Sequence, residues 1–373
     1  MKSRVRDQLL PLAARLSPRP ASAGDDTIVI LQPDHLGDIL LAQPAVRWLR
    51  DSNPHSRIVA VVGPWSQEIA SLAWPVDEIR TLAYPGFTRD TKSSALDPYR
   101  KLRHAATELG PLQPRTAYVL RPDAWWAAWL GSLIADEVVT SGESRCAAFG
   151  TTAVPAGDGH ATARALRIVA GSGSPPDIDP ASYPLSLKSS VDDVNRARRL
   201  LDEHAAVGRF AVIHPGSGAA VKEWPVDRWG VVARALHDEG LNVVLTGTAS
   251  EADLCESIAA RVEGAVSLAG RTPVAVLAAL LRQASVVLGP DCGPLHLAVA
   301  AGAPTIHLFG PSDPTRYGPW GDAARHRVIR AGWSCPRCGD LSASRPSGCG
   351  CMLAISANAV IDAARELVMT HAV

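Results

Sequence analysis

Apolar residues fall into two registers along this chain: short unbroken runs, and longer stretches where they return every three or four positions. Thr27–Leu31 is a run of the first kind. The loop Gln32-Pro33-Asp34-His35-Leu36-Gly37-Asp38 leads from it into a helical pattern carried by Ile39, Leu40, Val46 and Leu49. After Ser52-Asn53-Pro54 the strand signature returns at Arg57–Val62, which completes a βαβ unit and predicts a parallel sheet. Tyr84–Tyr99, rich in Gly, Pro, Ser, Thr and charge, predicts a long exposed loop with little core. Gly171–Pro184, punctuated by Pro175, Pro176, Pro180 and Pro184, predicts a linker, with the domain boundary close to residue 185.

Beyond that boundary the alternation restarts. Strands are predicted at Phe210–His214, Asn242–Thr246, Ala265–Leu268, Ser285–Leu288 and Pro304–Phe309. Helices are predicted over Val226–His237, Glu251–Val262 and Pro273–Gln283, and from Gly293 onward. A last amphipathic helix, capped by Ser356, runs through Val360, Ala364 and Leu367. The organisation read from the pattern is a basic tail over 1–24, a Rossmann-like α/β domain over 25–185, a second doubly wound α/β domain over 186–355, and a C-terminal helix over 356–373.

Composition changes this picture in three ways. At 373 residues, with 47% hydrophobic and 20% charged, the chain exceeds one ordinary core and reads as folded over most of its length. Lys plus Arg equals Asp plus Glu at 37 each, so no global positive field gathers nucleic acid, and nucleic-acid partners are excluded on that ground. Seven cysteines, four of them between Cys335 and Cys351, are not a disulfide framework. The tail carries Lys2, Arg4, Arg6, Arg15 and Arg19 around an apolar stretch broken by Pro11 and Arg15, which does not read as a signal peptide. No run of about 18 apolar residues predicts a spanning helix. The expected location is cytoplasmic, with peripheral contact of the tail at an anionic membrane face left open.

In open parallel sheets, ligands bind beyond the carboxyl ends of the strands, and four such loops here are unusual. Asp34-His35-Leu36-Gly37-Asp38 places Gly37 where backbone can approach a ligand and Asp38 at a helix start, where a carboxylate serves as a cap or as a base. His214-Pro215-Gly216-Ser217-Gly218, followed by Lys222, can turn N–H groups and one cation toward a phosphate, or form an ordinary glycine turn. In Thr246-Gly247-Thr248, with Glu251 beyond, the carboxylate either takes ribose hydroxyls or favours the first helical turn. Gly289-Pro290-Asp291-Cys292-Gly293-Pro294-Leu295-His296 sets Asp291 and Gly293 at a helix N-terminus suited to a sugar diphosphate.

The stretches DHLGDILLAQPAVRWLR, HPGSGAAVKEWPVDRWG, LTGTASEAD and GPDCGPLHLAVAAGAPTIHLFGPSDP resemble, in order and spacing, the motifs of glycosyltransferase family 9, the heptosyltransferases of lipopolysaccharide synthesis. The resemblance covers roughly Ile28–Arg50 and Phe210 to the C-terminus, and is poor between them. It implies a GT-B fold, two Rossmann-like domains facing across a cleft, with an N-terminal acceptor domain and a C-terminal donor domain. It also implies metal-independent inversion at the anomeric carbon, with no cofactor. The partners implied are a nucleotide diphosphate sugar, ADP-heptose by family, and a glycan or glycolipid acceptor of the cell envelope. By matching motif positions Asp38 would be the general base and Lys222 would neutralise the donor phosphates. His214, Gly216, Ser217, Gly247, Thr248, Glu251, Asp291, Gly293 and His296 would line the donor, and His35 and Gly37 the acceptor.

Arg121, with Asp123, follows a predicted strand at Ala117–Leu120 and is a further candidate acceptor contact. Trp125, Trp126 and Trp129 at helical spacing read as core. Cys335, Cys338, Cys349 and Cys351 offer four thiols for a structural zinc, but the Cys349-x-Cys351 spacing is tight for a common ribbon, and buried reduced thiols are the favoured reading. Competing functions are another GT-B enzyme, such as an epimerase or a transferase with a different donor, and a non-catalytic nucleotide-sugar-binding protein. A dinucleotide oxidoreductase is disfavoured because no G-x-G-x-x-G follows the first strand of either half.

Overall fold

The apolar runs are strands because helices cover both of their faces. The computed structural model describes residues 26–87, 94, 96–142, 145–171, 178–204, 206, 208–333, 341 and 348–370. The chain divides into two compact units, Met1–Asp179 and Pro180–Val373, a few residues before the boundary expected from the proline-rich stretch.

In the first unit β1 (Thr27–Gln32) is buried at every position and pairs in parallel with β2 (Arg57–Val62), Thr27 opposite Arg57 and Gln32 opposite Val62. With β3 (Glu78–Thr81), β4 (Thr116–Val119), β5 (Glu137–Ser141) and β6 (Thr152–Val154) they form a six-stranded sheet in the order β3-β2-β1-β4-β5-β6. Every pairing is parallel, so each connection must cross a face of the sheet. The helices are α1 (Leu36–Ser52), α2 (Gln67–Ala73), α3 (Asp97–Leu109), α4 (Trp125–Ile134) and α5 (Ala161–Ala170). Helix α5 packs along α1. Trp126 lies in the core, with its indole N–H donated to the Pro98 carbonyl at 2.8 Å, while Trp125 and Trp129 pack against that core.

The expectation of a coreless loop over Tyr84–Tyr99 fails at both ends. Tyr84 is 1% exposed and its hydroxyl donates to the Val61 carbonyl at 2.8 Å, which removes the cost of burying a phenol. At the other end Pro98 starts α3 rather than breaking it, because a first-turn proline surrenders only an N–H that the helix could not use. Residues 88–93 and 95 of that stretch, and the tail through Gly24, lie outside the described residues.

The second unit repeats the plan. Its strands are β7 (Phe210–Ile213), β8 (Asn242–Leu245), β9 (Val266–Ser267), β10 (Val286–Pro290), β11 (Thr305–Phe309) and β12 (His326–Arg330), in the order β12-β11-β10-β7-β8-β9, again parallel. Its helices are α6 (Val191–Glu203), α7 (Val226–Asp238), α8 (Ala252–Ala259), α9 (Val274–Leu281) and α10 (Gly293–Ala301), then the short α11 (Pro314–Tyr317) and α12 (Gly350–Leu353), and finally α13 (Ala357–Thr370). The Ser356 hydroxyl accepts from Ala359 N–H at 3.2 Å as the cap of α13, which packs on α7 and on β10 to β12. Counted from its own first strand, each sheet has the order 3-2-1-4-5-6 of a doubly wound dinucleotide-type fold. No helix among the described residues is long and apolar enough to cross a membrane.

Candidate active site

In a sheet of this order the ligand crevice lies where the strand order reverses: between β1 and β4 in the first unit and between β7 and β10 in the second. Each of these two points holds an ion pair between residues far apart in sequence.

In the second unit the loop after β7 ends in a single helical turn, Ala220–Lys222, that aims Lys222 at the end of β10. Lys222 Nζ donates to Asp291 Oδ2 at 2.8 Å and to the Asp291 carbonyl at 3.2 Å. His296, within α10, places Nε2 3.8 Å from Asp291 Oδ1. Burial works against the Asp291 carboxylate, but the His296 hydrogen bond and the Lys222 charge outweigh it and hold the group well below the usual carboxylate range. Gly293 opens α10, whose N-cap is Cys292; Pro294 has no N–H and the Leu295 N–H donates to the Cys292 carbonyl at 3.2 Å, so the Gly293 N–H is the first-turn donor left beside this cluster.

Around it the strand ends are tied together. His214 is 5% exposed, its Nδ1 3.1 Å from Thr246 Oγ1 at the end of β8, and burial pulls its pKa down to about 4. It braces the loops rather than presenting a charge. Glu251 completes a capping box: its Oε2 accepts from the Thr248 N–H at 2.7 Å and the Thr248 hydroxyl at 2.8 Å. The other oxygen lies against Gly216, where a Cβ would come within 1.9 Å of Oε1, so a methyl group there would have to displace the Glu251 carboxylate. Gly247 is similarly confined, with Cys255 Sγ and Glu251 Cβ both 3.1 Å from an added Cβ. Ser217 is half-buried beside the exposed Gly218. The donor-lining candidates His214, Gly216, Gly247, Thr248 and Glu251 are thus brought together at the ends of β7 and β8, and Lys222, Asp291, Gly293 and His296 between β7 and β10.

In the first unit the pair is Asp34, after β1, with Arg121, after β4. Arg121 also donates from Nε to Asp123 Oδ1 at 2.5 Å and lies over the Phe87 ring, 5.1 Å from its centroid. Asp34 is 2% exposed and accepts from Gln32 Nε2 at 2.6 Å. Burial, then the charge of Asp38, push the Asp34 carboxyl up to about 7 against the pull of Arg121. His35 occupies the N-cap position of α1 and Asp38 stands third in the helix, half-buried in the first turn. The exposed His35 ring sits 5.3 Å from Trp65, whose indole N–H donates to the Asp34 carbonyl at 3.0 Å. His35, Gly37, Asp38 and Arg121 therefore share one edge of the first sheet. Sequence reasoning passed over Asp34 as a charge partner, Thr246 as the brace of His214, and Trp65; only Thr246, directly after a strand in a Thr-Gly-Thr loop, carried a signal of position.

The cysteine cluster is divided. Cys335 and Cys338 lie outside the described residues, and the sulfurs of Cys349 and Cys351 are 3.2 Å apart. Among the described residues no group of three or more His, Cys, Asp or Glu side chains is arranged to hold a metal.

Solved structures with this arrangement include a glycosyltransferase family 9 protein of Veillonella parvula, which superposes with a TM-score of 0.76 at 22% identity over 94% of this chain and all of that one. The ADP-heptose lipopolysaccharide heptosyltransferase II of Escherichia coli superposes with a TM-score of 0.72 at 19% identity over 93% and 100%. In sequence the chain is 28% identical to lipopolysaccharide heptosyltransferase 3 of Escherichia coli over 295 residues, which are 76% of this chain and 83% of that protein. The fold is that of the GT-B class, and the protein is a glycosyltransferase. The model of glycosyltransferase family 9 (heptosyltransferase) matches residues 117–339, from β4 through the whole Lys222–Asp291 site, and the chain belongs to that family.

Proposed function

We propose that the protein transfers heptose from ADP-heptose to a hydroxyl of a lipopolysaccharide-type acceptor, with the donor held by the second unit and the acceptor by the first. The observation that carries this reading is the Lys222–Asp291–His296 cluster beside the N-terminus of α10, inside the segment that matches the family. The choice of ADP-heptose as the sugar nucleotide is supported by the related Escherichia coli enzyme that is named for it.

An ammonium has three N–H donors, and Lys222 spends two on Asp291, which leaves one for a β-phosphate oxygen. That proton, the Gly293 N–H and the positive end of the α10 dipole stabilise charge as the bond from the anomeric carbon to the diphosphate oxygen breaks. The pair of electrons leaves with ADP. Asp291 holds hydroxyls of the donor, with His296 behind it orienting its carboxylate, and Glu251, already fixed by its cap, offers Oε1 to the ribose. A new bond forms from the acceptor oxygen to the opposite face of the anomeric carbon, and the acceptor proton passes to Asp38, which inverts the centre. Lys222 here supplies the charge that a divalent cation supplies in other transferases.

The test is release of ADP from ADP-heptose in the presence of heptose-deficient lipooligosaccharide. Wild type should turn over and Asp38→Asn should not, while still binding ADP. Turnover undiminished by Asp38→Asn would overturn the assignment of the base, and turnover with UDP- or GDP-sugars alone would overturn that of the donor.

A further inference from the structure

Behind Asp291 runs a row of buried polar side chains that this mechanism does not use. His307 sits in the middle of β11, between Ile306 and Leu308, and is 0% exposed. Its Nε2 lies 2.9 Å from Thr305 Oγ1, and the same hydroxyl lies 2.8 Å from Nδ1 of His326 on the neighbouring strand β12. Toward the site, the His307 and His296 rings are 5.8 Å apart between centroids and inclined by 57°. Both Nδ1 atoms, of His296 and of His307, are buried and have no hydrogen-bond partner among the described residues. A buried polar atom left without a partner is costly, so two on neighbouring rings call for a common explanation.

Proton bookkeeping supplies it. Burial holds His307 well below the usual histidine range, so the ring is neutral and carries one N–H. The Thr305 hydroxyl has one proton, so at most one of the two ring nitrogens it touches accepts from it and at least one donates to it. The Asp291 carboxylate at the inner end attracts N–H dipoles pointed toward it. One arrangement points every donor that way: His326 Nδ1–H to Thr305, Thr305 O–H to His307 Nε2, His307 Nδ1–H toward His296 Nδ1, and His296 Nε2–H toward Asp291 Oδ1, 3.8 Å away. Bonds aligned head to tail reinforce one another in a buried setting.

We propose that His307 is a positioning residue for the donor site: the chain His326–Thr305–His307 ends on His296 Nδ1 through one bridging water and fixes His296 as the tautomer whose Nε2–H faces Asp291. The consequence for the donor rests on the reading above, in which Asp291, oriented by His296, holds the nucleotide sugar. Nothing in an α/β core requires a histidine at a central strand position, where Val, Leu or Ile are the usual occupants. The polar row is tolerated there because its members satisfy one another.

The test uses the full chain labelled with 15N-histidine and long-range proton–nitrogen spectra at pH 8. Expected are single tautomers, Nδ1–H for His307 and Nε2–H for His296. Thr305→Val keeps the shape but removes the hydroxyl. It should turn the His307 signal into a mixture or into the Nε2–H form, and weaken ADP binding about three- to tenfold, the worth of one hydrogen bond. In turnover the donor KM should rise by the same factor with kcat little changed, because Asp38 is untouched, and Thr305→Ser should restore both readouts. An Nε2–H tautomer of His307 in wild type would overturn the proposal, as would a fully protonated His296 ring. So would Thr305→Val with unchanged spectra or unchanged ADP affinity. Failure of wild type to bind ADP would sink the donor reading instead, and the spectra would still decide the chain.

Discussion

The two switch points use one device with opposite polarity. In the first unit the acid follows the first strand and the cation the fourth, Asp34 with Arg121; in the second the cation follows the first strand and the acid the fourth, Lys222 with Asp291. Yet Asp34 is raised to about 7 by burial and then by the charge of Asp38, whereas Asp291 is depressed in spite of its burial. The difference lies in the company each keeps. Asp291 faces two cationic or donating partners, Lys222 and His296, whereas Asp34 shares one guanidinium with Asp123 and also feels the charge of Asp38. A site with surplus negative charge is suited to taking a proton, and one whose acid is fully compensated is suited to holding a diphosphate beside it.

The largest effect expected on that contrast is chemical. Asp38→Asn should lower turnover about 10²- to 10⁴-fold, the usual worth of a general base, with ADP affinity unchanged in calorimetry. Next, Lys222→Met leaves the Asp291 carboxylate buried and unpaired, and should lower the stability of the second unit by about 3 kcal/mol in denaturant melts. That loss should shrink below about pH 4, where Asp291 is free to protonate. Arg121→Met should cost less, about 1 kcal/mol near pH 6, because Asp34 there takes a proton instead, and should cost more at pH 8. If the two variants lost the same stability at every pH, the two pairs would not differ as described.

Asp34 also gives the wild type a pH dependence of its own. Its folded pKa is raised above the unfolded value of about 3.9, so its contribution is fully present below that value and is lost as pH rises through about 7. Melts of wild type against Asp34→Asn should therefore show the wild type losing ground between those limits. The smallest effect belongs to Gly216→Ala, whose Cβ would displace Glu251 Oε1 and open the capping box, for a loss of about 1 kcal/mol.

Much of this was legible in the sequence for a physical reason. Parallel strands buried on both faces are unbroken apolar runs, which is why β1, β2, β7, β8, β10 and β11 stood out. The edge strands β3 and β12 are partly exposed and mix polar with apolar residues, so they did not. Helix α3 was hidden by Pro98, which the chain uses as a starter. At the sites the individual residues Asp38, Arg121, Lys222, Asp291 and His296 were singled out because each follows a strand. Their partnerships were not: Asp34 and Arg121 are 87 residues apart, Lys222 and Asp291 are 69 apart, and only the sheet order brings them together. His307 was invisible because a histidine inside a strand run looks like one more strand residue.

The account stands most directly on the second unit as a nucleotide diphosphate site built on Lys222 and Asp291. Calorimetric titration of the full chain with ADP, UDP, GDP and NADH, repeated with Lys222→Ala, tests it. The account predicts selective binding of ADP that weakens about ten- to hundredfold in the variant, the worth of a charge-assisted hydrogen bond. Binding of NADH alone, or ADP affinity unchanged by Lys222→Ala, would contradict it.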